Sequence, residues 1–148
     1  MDPWIRTYVK GVTYVNPDWS SRQDIIKGCK QGDKLTLVRE PDNQHDRNAV
    51  KVCVISEKNS GFFSKIFGPK VVAKQLGYLS KYVASRVAPL MDKGIPVHAE
   101  VREIRQVERG EITLSEAMKE GFSECLVEIT AENIEWDEER NPMPVLLR

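Results

Sequence analysis

Several kinds of chemistry lack their raw material in this chain. Cysteine is scarce: Cys29, Cys53 and Cys125 are odd in number, far apart and in no Cys-x-x-Cys pair. That spacing speaks against a disulfide framework and a local zinc site, and the three read as reduced thiols. Histidine is scarcer. His45 and His98 are the whole supply and fall in separate predicted elements, so no metal centre and no other cofactor is expected. A glycine-rich phosphate loop is missing, as is a second, separated carboxylate cluster, and both absences weigh against an enzyme. There is no apolar run of about 18 residues to cross a membrane, and no internal repeat. The opening residues, Met1-Asp2-Pro3-Trp4-Ile5-Arg6, have neither the basic nor the apolar region of a signal peptide. The expectation is a cytoplasmic protein without a membrane partner.

Net charge is absent too, since 22 Lys and Arg balance 22 Asp and Glu. The balance is uneven along the chain, however. Residues 1–99 hold 16 basic against 9 acidic side chains, and residues 100–148 hold 6 against 13. A body of net +7 followed by a stretch of −7 suits either an anionic partner on one face or a solvated mixed surface. The length, 148 residues, is one domain's worth of chain, able to bury about 68–70% of its unfolded surface. Its composition is that of an ordinary globular protein.

Period-2 alternation and turn residues give the element order. A first strand is predicted over residues 5–15, with Gly11 at a bulge or close approach. Asn16-Pro17-Asp18 makes a turn, and Ser20 or Ser21 caps a short helix carrying Ile25, Ile26 and Cys29 on one face. Strands follow at 35–39 and 49–55, then a short one at 75–79. Ser80 caps a helix over 81–91, which Pro89 is expected to kink or end early, with Gly94 beyond its stop. A strand over 97–107, a capping box Thr113-Leu114-Ser115-Glu116 opening a short helix, and a last strand at 125–130 complete the count. The acidic residues 132–140 lead to a proline-rich tail, 141–148, expected to be mobile. About six strands with two or three short helices favour a mainly β protein, a small antiparallel barrel. One domain over residues 1–140 is predicted.

Between residues 57 and 74, Phe62, Phe63, Ile66 and Phe67 interleave with Lys58, Lys65, Lys70 and Lys74. Three readings stay open for this stretch: a flap over the barrel, a basic and aromatic nucleic-acid surface, or a docking tip for a protein.

The densest information lies in residues 39–52, where two strand signals meet across a run of turn formers. Pro41 fixes its own φ and holds Glu40 extended, while Asp42, Asn43, Asp46 and Asn48 can bond nearby backbone in Asx turns. Such a loop can be rigid without a core. Read on its own it is a β-connection. As metal ligands or acid–base groups, Asp42, His45 and Asp46 would instead make it a nuclease site, but the turn already explains why these residues are close-packed.

The order Glu40-Pro41-Asp42-Asn43, His45-Asp46, Asn48-Ala49-Val50-Lys51-Val52 resembles the HIRAN domain family. So do Gly11-Val12-Thr13-Tyr14 upstream, Gly32-Asp33 before the second strand, and Gly77-Tyr78-Leu79 before the helix. The likeness spans about residues 7–101, with insertions near 57–74 and 108–124. It implies a modified OB-like barrel of six antiparallel strands that captures the 3′ end of single-stranded DNA, as in the domains that precede fork-remodelling translocases. By position, Tyr14 and His45 match base-stacking residues and Asp46 the acceptor of the terminal sugar hydroxyl. Tyr78 and Lys81 occupy further positions lining the pocket. Asn43 and Arg47 belong to the same motif, and Arg47, Lys51 and Lys81 are the candidate phosphate cations. Two departures stand out: Thr13 falls where DNA-binding members can place an arginine, and His45 replaces a tyrosine with a smaller, titratable ring. The implied role is in DNA repair or replication-fork processing, alone or beside a larger nuclease or helicase. The runner-up is a protein-interaction barrel docking on such an enzyme.

Overall fold

The computed structural model describes residues 3–58, 65–66, 68, 70–107, 121–136 and 143–144. Expectations for Phe62, Phe63 and Phe67, for the capping box at 113–116 and for most of the tail lie outside those residues.

The best-alternating segment is β6, Phe122–Ala131, in which Ser123, Cys125, Val127, Ile129 and Ala131 are buried and their neighbours are half-buried. A strand with one buried face needs partners on both edges to satisfy its backbone. On one edge β6 takes β1, Ile5–Tyr8, and on the other β5, Val97–Val107. The full antiparallel order is β1-β6-β5-β2-β3-β4, with β2 at Lys34–Arg39, β3 at Val50–Lys58 and β4 at Lys70–Tyr78. The fold class is therefore mainly β with six antiparallel strands, as the alternation predicts.

The sheet curls until its outer strands meet, but it is not a continuously bonded barrel. Past β1 the chain bridges to β4 at one residue pair, where Lys10 N–H donates to the Tyr78 carbonyl at 2.7 Å and Tyr78 N–H to the Lys10 carbonyl at 2.9 Å. Gly77 makes this crossing possible. A Cβ at residue 77 would overlap the Lys10 carbonyl oxygen and lie 2.7 Å from Cγ1 of Val9. The β3–β4 register also shifts between Val52 and Cys53, so that Leu76 bulges inward and is fully buried; bulges of this kind sharpen the twist a curled sheet needs.

Two of the described helices pack against this frame. Helix α1, Arg22–Lys27, is capped by Ser21, whose hydroxyl accepts from Asp24 N–H, and it buries Ile26. Helix α2, Lys81–Asp92, is capped by Ser80 and turns Val83, Ala84, Val87, Ala88 and Leu90 into the core. Contrary to expectation, Pro89 does not stop α2. It is exposed three residues from the end, where its ring meets water and only one helical hydrogen bond is forfeited. The stop is a Schellman motif: Gly94, at φ 78°, donates to Met91, and Ile95 donates to Leu90.

Other boundaries also move. The first strand ends at Tyr8 because residues 11–14 form a turn, with Gly11 at φ 73° and Tyr14 N–H on the Gly11 carbonyl. β4 starts at Lys70 instead of near residue 75, since it pairs with β3 along its whole length. In the acidic stretch, Ile134 and Trp136 are buried in the main core, and Ile134–Glu135 forms β7, paired with β8 at Met143–Pro144. The three cysteines are free thiols, and burial pushes that of Cys125 up to about 12.

If the Gly77 crossing holds the two sheet edges together, Gly77→Ala should cost about 1–3 kcal/mol through overpacking. Urea unfolding checks this, and an unchanged midpoint would show that Lys10 and Val9 move aside freely.

Candidate nucleic-acid interface

The loop between β2 and β3 is built almost entirely from its own polar groups. Asn43 Oδ1 accepts from the backbone N–H groups of His45 at 2.9 Å and Asp46 at 3.0 Å. Asp46 Oδ1 in turn accepts from Asn48 N–H at 2.9 Å. These are the Asx turns that the residue types predict. Backbone bonds from Glu40 to Ala49, Asn43 to Glu40 and Ala49 to Asp46 close the loop. Arg39 then ties it to α2: its guanidinium donates to the carbonyls of Ala49 and Arg47 and to the Asp92 carboxylate, Nε to Oδ1 at 2.9 Å.

Beneath the loop lies one carboxylate with three donors. Glu40 accepts from Lys51 Nζ at 2.8 Å, Asn43 Nδ2 at 2.7 Å and the Tyr78 hydroxyl at 3.1 Å. The Lys51 bond, reinforced by Asn43 and Tyr78, holds the Glu40 carboxyl below its ordinary value despite partial desolvation, and Glu40 raises Lys51 correspondingly. This network anchors the hydroxyl end of Tyr78.

Tyr78 is the shared wall of two neighbouring cavities. One, of about 450 Å³, is lined by Asn43, His45, Asp46, Ala49, Leu79 and Lys81 besides Tyr78. The other, of about 440 Å³, is lined by Lys10, Gly11, Tyr14, Val15, Pro17 and Arg22 together with Tyr78. Tyr14 is 69% exposed, so its ring is not part of the core. The fold thus gathers Asn43, His45, Asp46, Tyr78 and Lys81 at one cavity and puts Tyr14 in the adjoining one. It does not bring in the other candidates. Thr13 is half-buried in the turn and Arg47 exposed, and neither lines these cavities. Lys51 is engaged by Glu40.

Sequence reasoning misses Arg22. It is buried on α1, with Nε donating to Asn16 Oδ1 at 2.7 Å and Nη1 to the Gly11 carbonyl at 2.9 Å. Its guanidinium carbon lies 5.6 Å from the centre of the Tyr78 ring, within cation–π range. Burial lowers its pKa, against the pull of Tyr78, Cys53, Glu40 and Tyr14. A polar residue opening a short amphipathic helix reads as solvent-facing, and only the turn at residues 11–14 makes that side chain a cavity wall.

Chemically, the paired cavities offer flat rings, one acidic acceptor and few cations. Asp46 has one carboxylate oxygen on Asn48 N–H, and the other takes no hydrogen bond among the described residues. Among those residues no three His, Cys, Asp or Glu side chains are grouped to hold a metal ion. No described helix is long and apolar enough to cross a membrane.

Compared with known proteins, the chain matches the HIRAN domain over residues 5–118. Among solved structures it is similar to a protein from Lactobacillus plantarum, at 21% identity and TM-score 0.48, covering 84% of this chain and 91% of that one. It is also similar to the HIRAN domain of human HLTF, at 18% identity and TM-score 0.45, covering 87% and 77% respectively. No curated protein matches it.

The Glu40 network generates a pH prediction. A carboxyl whose folded value is depressed adds stability above its ordinary range and loses it as pH falls through the folded value. Glu40→Gln should therefore cost about 1 kcal/mol near neutrality, and the gap between parent and variant in thermal melts should close on acidification. A gap that is constant with pH would mean that the carboxylate charge plays no part.

Proposed function

This chain belongs to the HIRAN domain family of DNA-binding domains, and from that premise we propose that its paired cavities capture the 3′-hydroxyl end of single-stranded DNA. The observation that carries the proposal is the placement of Asp46, His45, Tyr78 and Lys81 around one cavity, with an Asp46 oxygen unengaged among the described residues. The terminal sugar hydroxyl donates to that oxygen, Lys81 meets a phosphate, and the bases lie against His45, Tyr78 and Tyr14. The residue types suit these roles, since a carboxylate accepts strongly from a hydroxyl and aromatic faces take any base. Arg22 supplies the positive charge that Thr13 does not. It lies beside the Tyr14 wall, where its charge draws a phosphate toward the cavity.

In this reading the domain holds a strand end for repair or replication-fork processing, presenting it to a larger nuclease or helicase. The grip itself requires no bond-breaking step.

A 3′-phosphate at the same spot would meet the Asp46 carboxylate as a like charge. Losing a hydrogen bond to a charged acceptor is worth about 1.5–3 kcal/mol, so a 3′-phosphate strand should bind at least about tenfold more weakly than its 3′-hydroxyl counterpart. Asp46→Ala should flatten that difference. Four affinities decide it, parent and variant each against both strands. Equal binding of both strands by the parent would overturn end capture and leave a protein-docking domain as the better reading.

A further inference from the structure

Trp19 is held in water at a conformational cost. It is 87% exposed, yet its backbone sits at φ 70°, a left-handed conformation that is an outlier for a bulky side chain and stores backbone strain. The turn that imposes this geometry is heavily tied. Trp19 N–H donates to the Asn16 carbonyl at 2.8 Å and Asn16 N–H to the Ser20 carbonyl at 2.9 Å. Asp18 Oδ1 accepts from both the backbone and the hydroxyl of Ser20. Asn16 itself is buried and bonded to Arg22 and to the Gln75 carbonyl of β4. The ring is therefore presented on a rigid mount, and the mount is continuous with the proposed DNA site: Tyr14, Val15 and Pro17 of the same segment line the cavity that Tyr78 and Arg22 share.

Trp19 lines a further cavity, of about 610 Å³, together with Val54, Ile25 and the exposed Lys74. Lys74 lies on β4 next to Gln75, to which the turn is tied, and four residues before Tyr78. We infer that Trp19 is a second stacking platform, which takes a base of the same DNA strand several nucleotides 5′ of the captured end, with Lys74 beside the backbone phosphate. The strand would run along β4 from Tyr78 toward Lys74, roughly 13 Å at the rise of an extended chain. Asp24 and Asp33 also line that cavity, and their charge favours phosphates beside Lys74 over phosphates beside them. The occupant is single-stranded because a base stacked on an indole must leave its duplex neighbours. This inference rests on the end-capture reading and extends it.

Strand length and two substitutions test it. Trp19→Gly removes the indole and suits the left-handed backbone, so its thermal stability should equal or exceed the parent's; Trp19→Phe keeps a ring. Affinities are measured for a 3′-hydroxyl thymidine dinucleotide and hexanucleotide. The parent should prefer the hexanucleotide. Trp19→Gly should bind the dinucleotide as the parent does but lose at least about fivefold for the hexanucleotide, the low end of one stacking contact, and Trp19→Phe should recover most of that loss. Hexanucleotide binding should also quench tryptophan fluorescence in the parent and not in Trp19→Gly. If the parent still discriminates 3′-hydroxyl from 3′-phosphate while Trp19→Gly binds the hexanucleotide at parental affinity, the platform is wrong and end capture stands. If the parent binds neither oligonucleotide, end capture fails and the platform falls with it.

Discussion

The Glu40 carboxylate is the constraint on which the candidate site depends. Three groups that matter elsewhere converge on it: Lys51 from β3, Asn43 from the loop and the Tyr78 hydroxyl from the end of β4. Asn43 is in turn the acceptor that folds His45 and Asp46 into place. One carboxylate therefore tethers both the loop carrying Asp46 and the Tyr78 ring between the two cavities. A half-exposed ion pair contributes little to global stability. Its weight here is geometric, because short loop residues and an aromatic ring have few other ways to be held without a core beneath them.

The second constraint is the Gly77 crossing. Without a side chain at that position, the Lys10 backbone and the Val9 side chain lie directly against β4. The turn holding Tyr14 and the turn holding Trp19 follow within ten residues and are fastened again by Asn16 to Gln75. Two sheet edges that are far apart in strand order thus meet, and their meeting puts Tyr14 in the cavity that shares Tyr78 with the one beside the loop of residues 40–49. The hydrogen bonds of Arg22 to Gly11 and Asn16 fill the seam from below.

Local signals made much of this legible in advance. The alternation in β5 and β6, the caps Ser21 and Ser80 and the Asx turns of the loop each depend on neighbours within a few residues, and each is present in the fold. What the sequence hid depends on distant partners. The length of β4 is set by pairing with β3, and the helix through Pro89 by which side of it meets water. Ile134 and Trp136, inside an acidic run, are core residues because the sheet leaves room for them. Trp136 also lies 5.6 Å from the guanidinium of Arg86, a buried cation on α2. Arg22 and Trp19 escaped for the same reason: a turn residue and a helix-opening arginine carry no local mark of facing a cavity.

The charge asymmetry takes a definite form in the sheet. A basic first two-thirds and an acidic last third suit an anionic partner on one face or a mixed surface, and some of those charges pair across strands. Arg6 on β1 pairs with Glu128 on β6 at 3.0 Å, and Arg105 on β5 pairs with Glu124 on β6 at 2.6 Å. Arg102 also reaches Glu128, at 3.9 Å. Glu124 and Glu128 of the acidic segment are thus engaged by cross-strand neighbours, while Lys51 and Arg39 on the other side are taken by Glu40 and Asp92. Among the described residues, the cations lining the two cavities are Lys10, Arg22 and Lys81. So short a supply there does not make a long electrostatic groove, whose affinity would collapse as salt rises. On the end-capture proposal, a site built on this frame draws its affinity from ring faces and a single acceptor more than from charge along the strand.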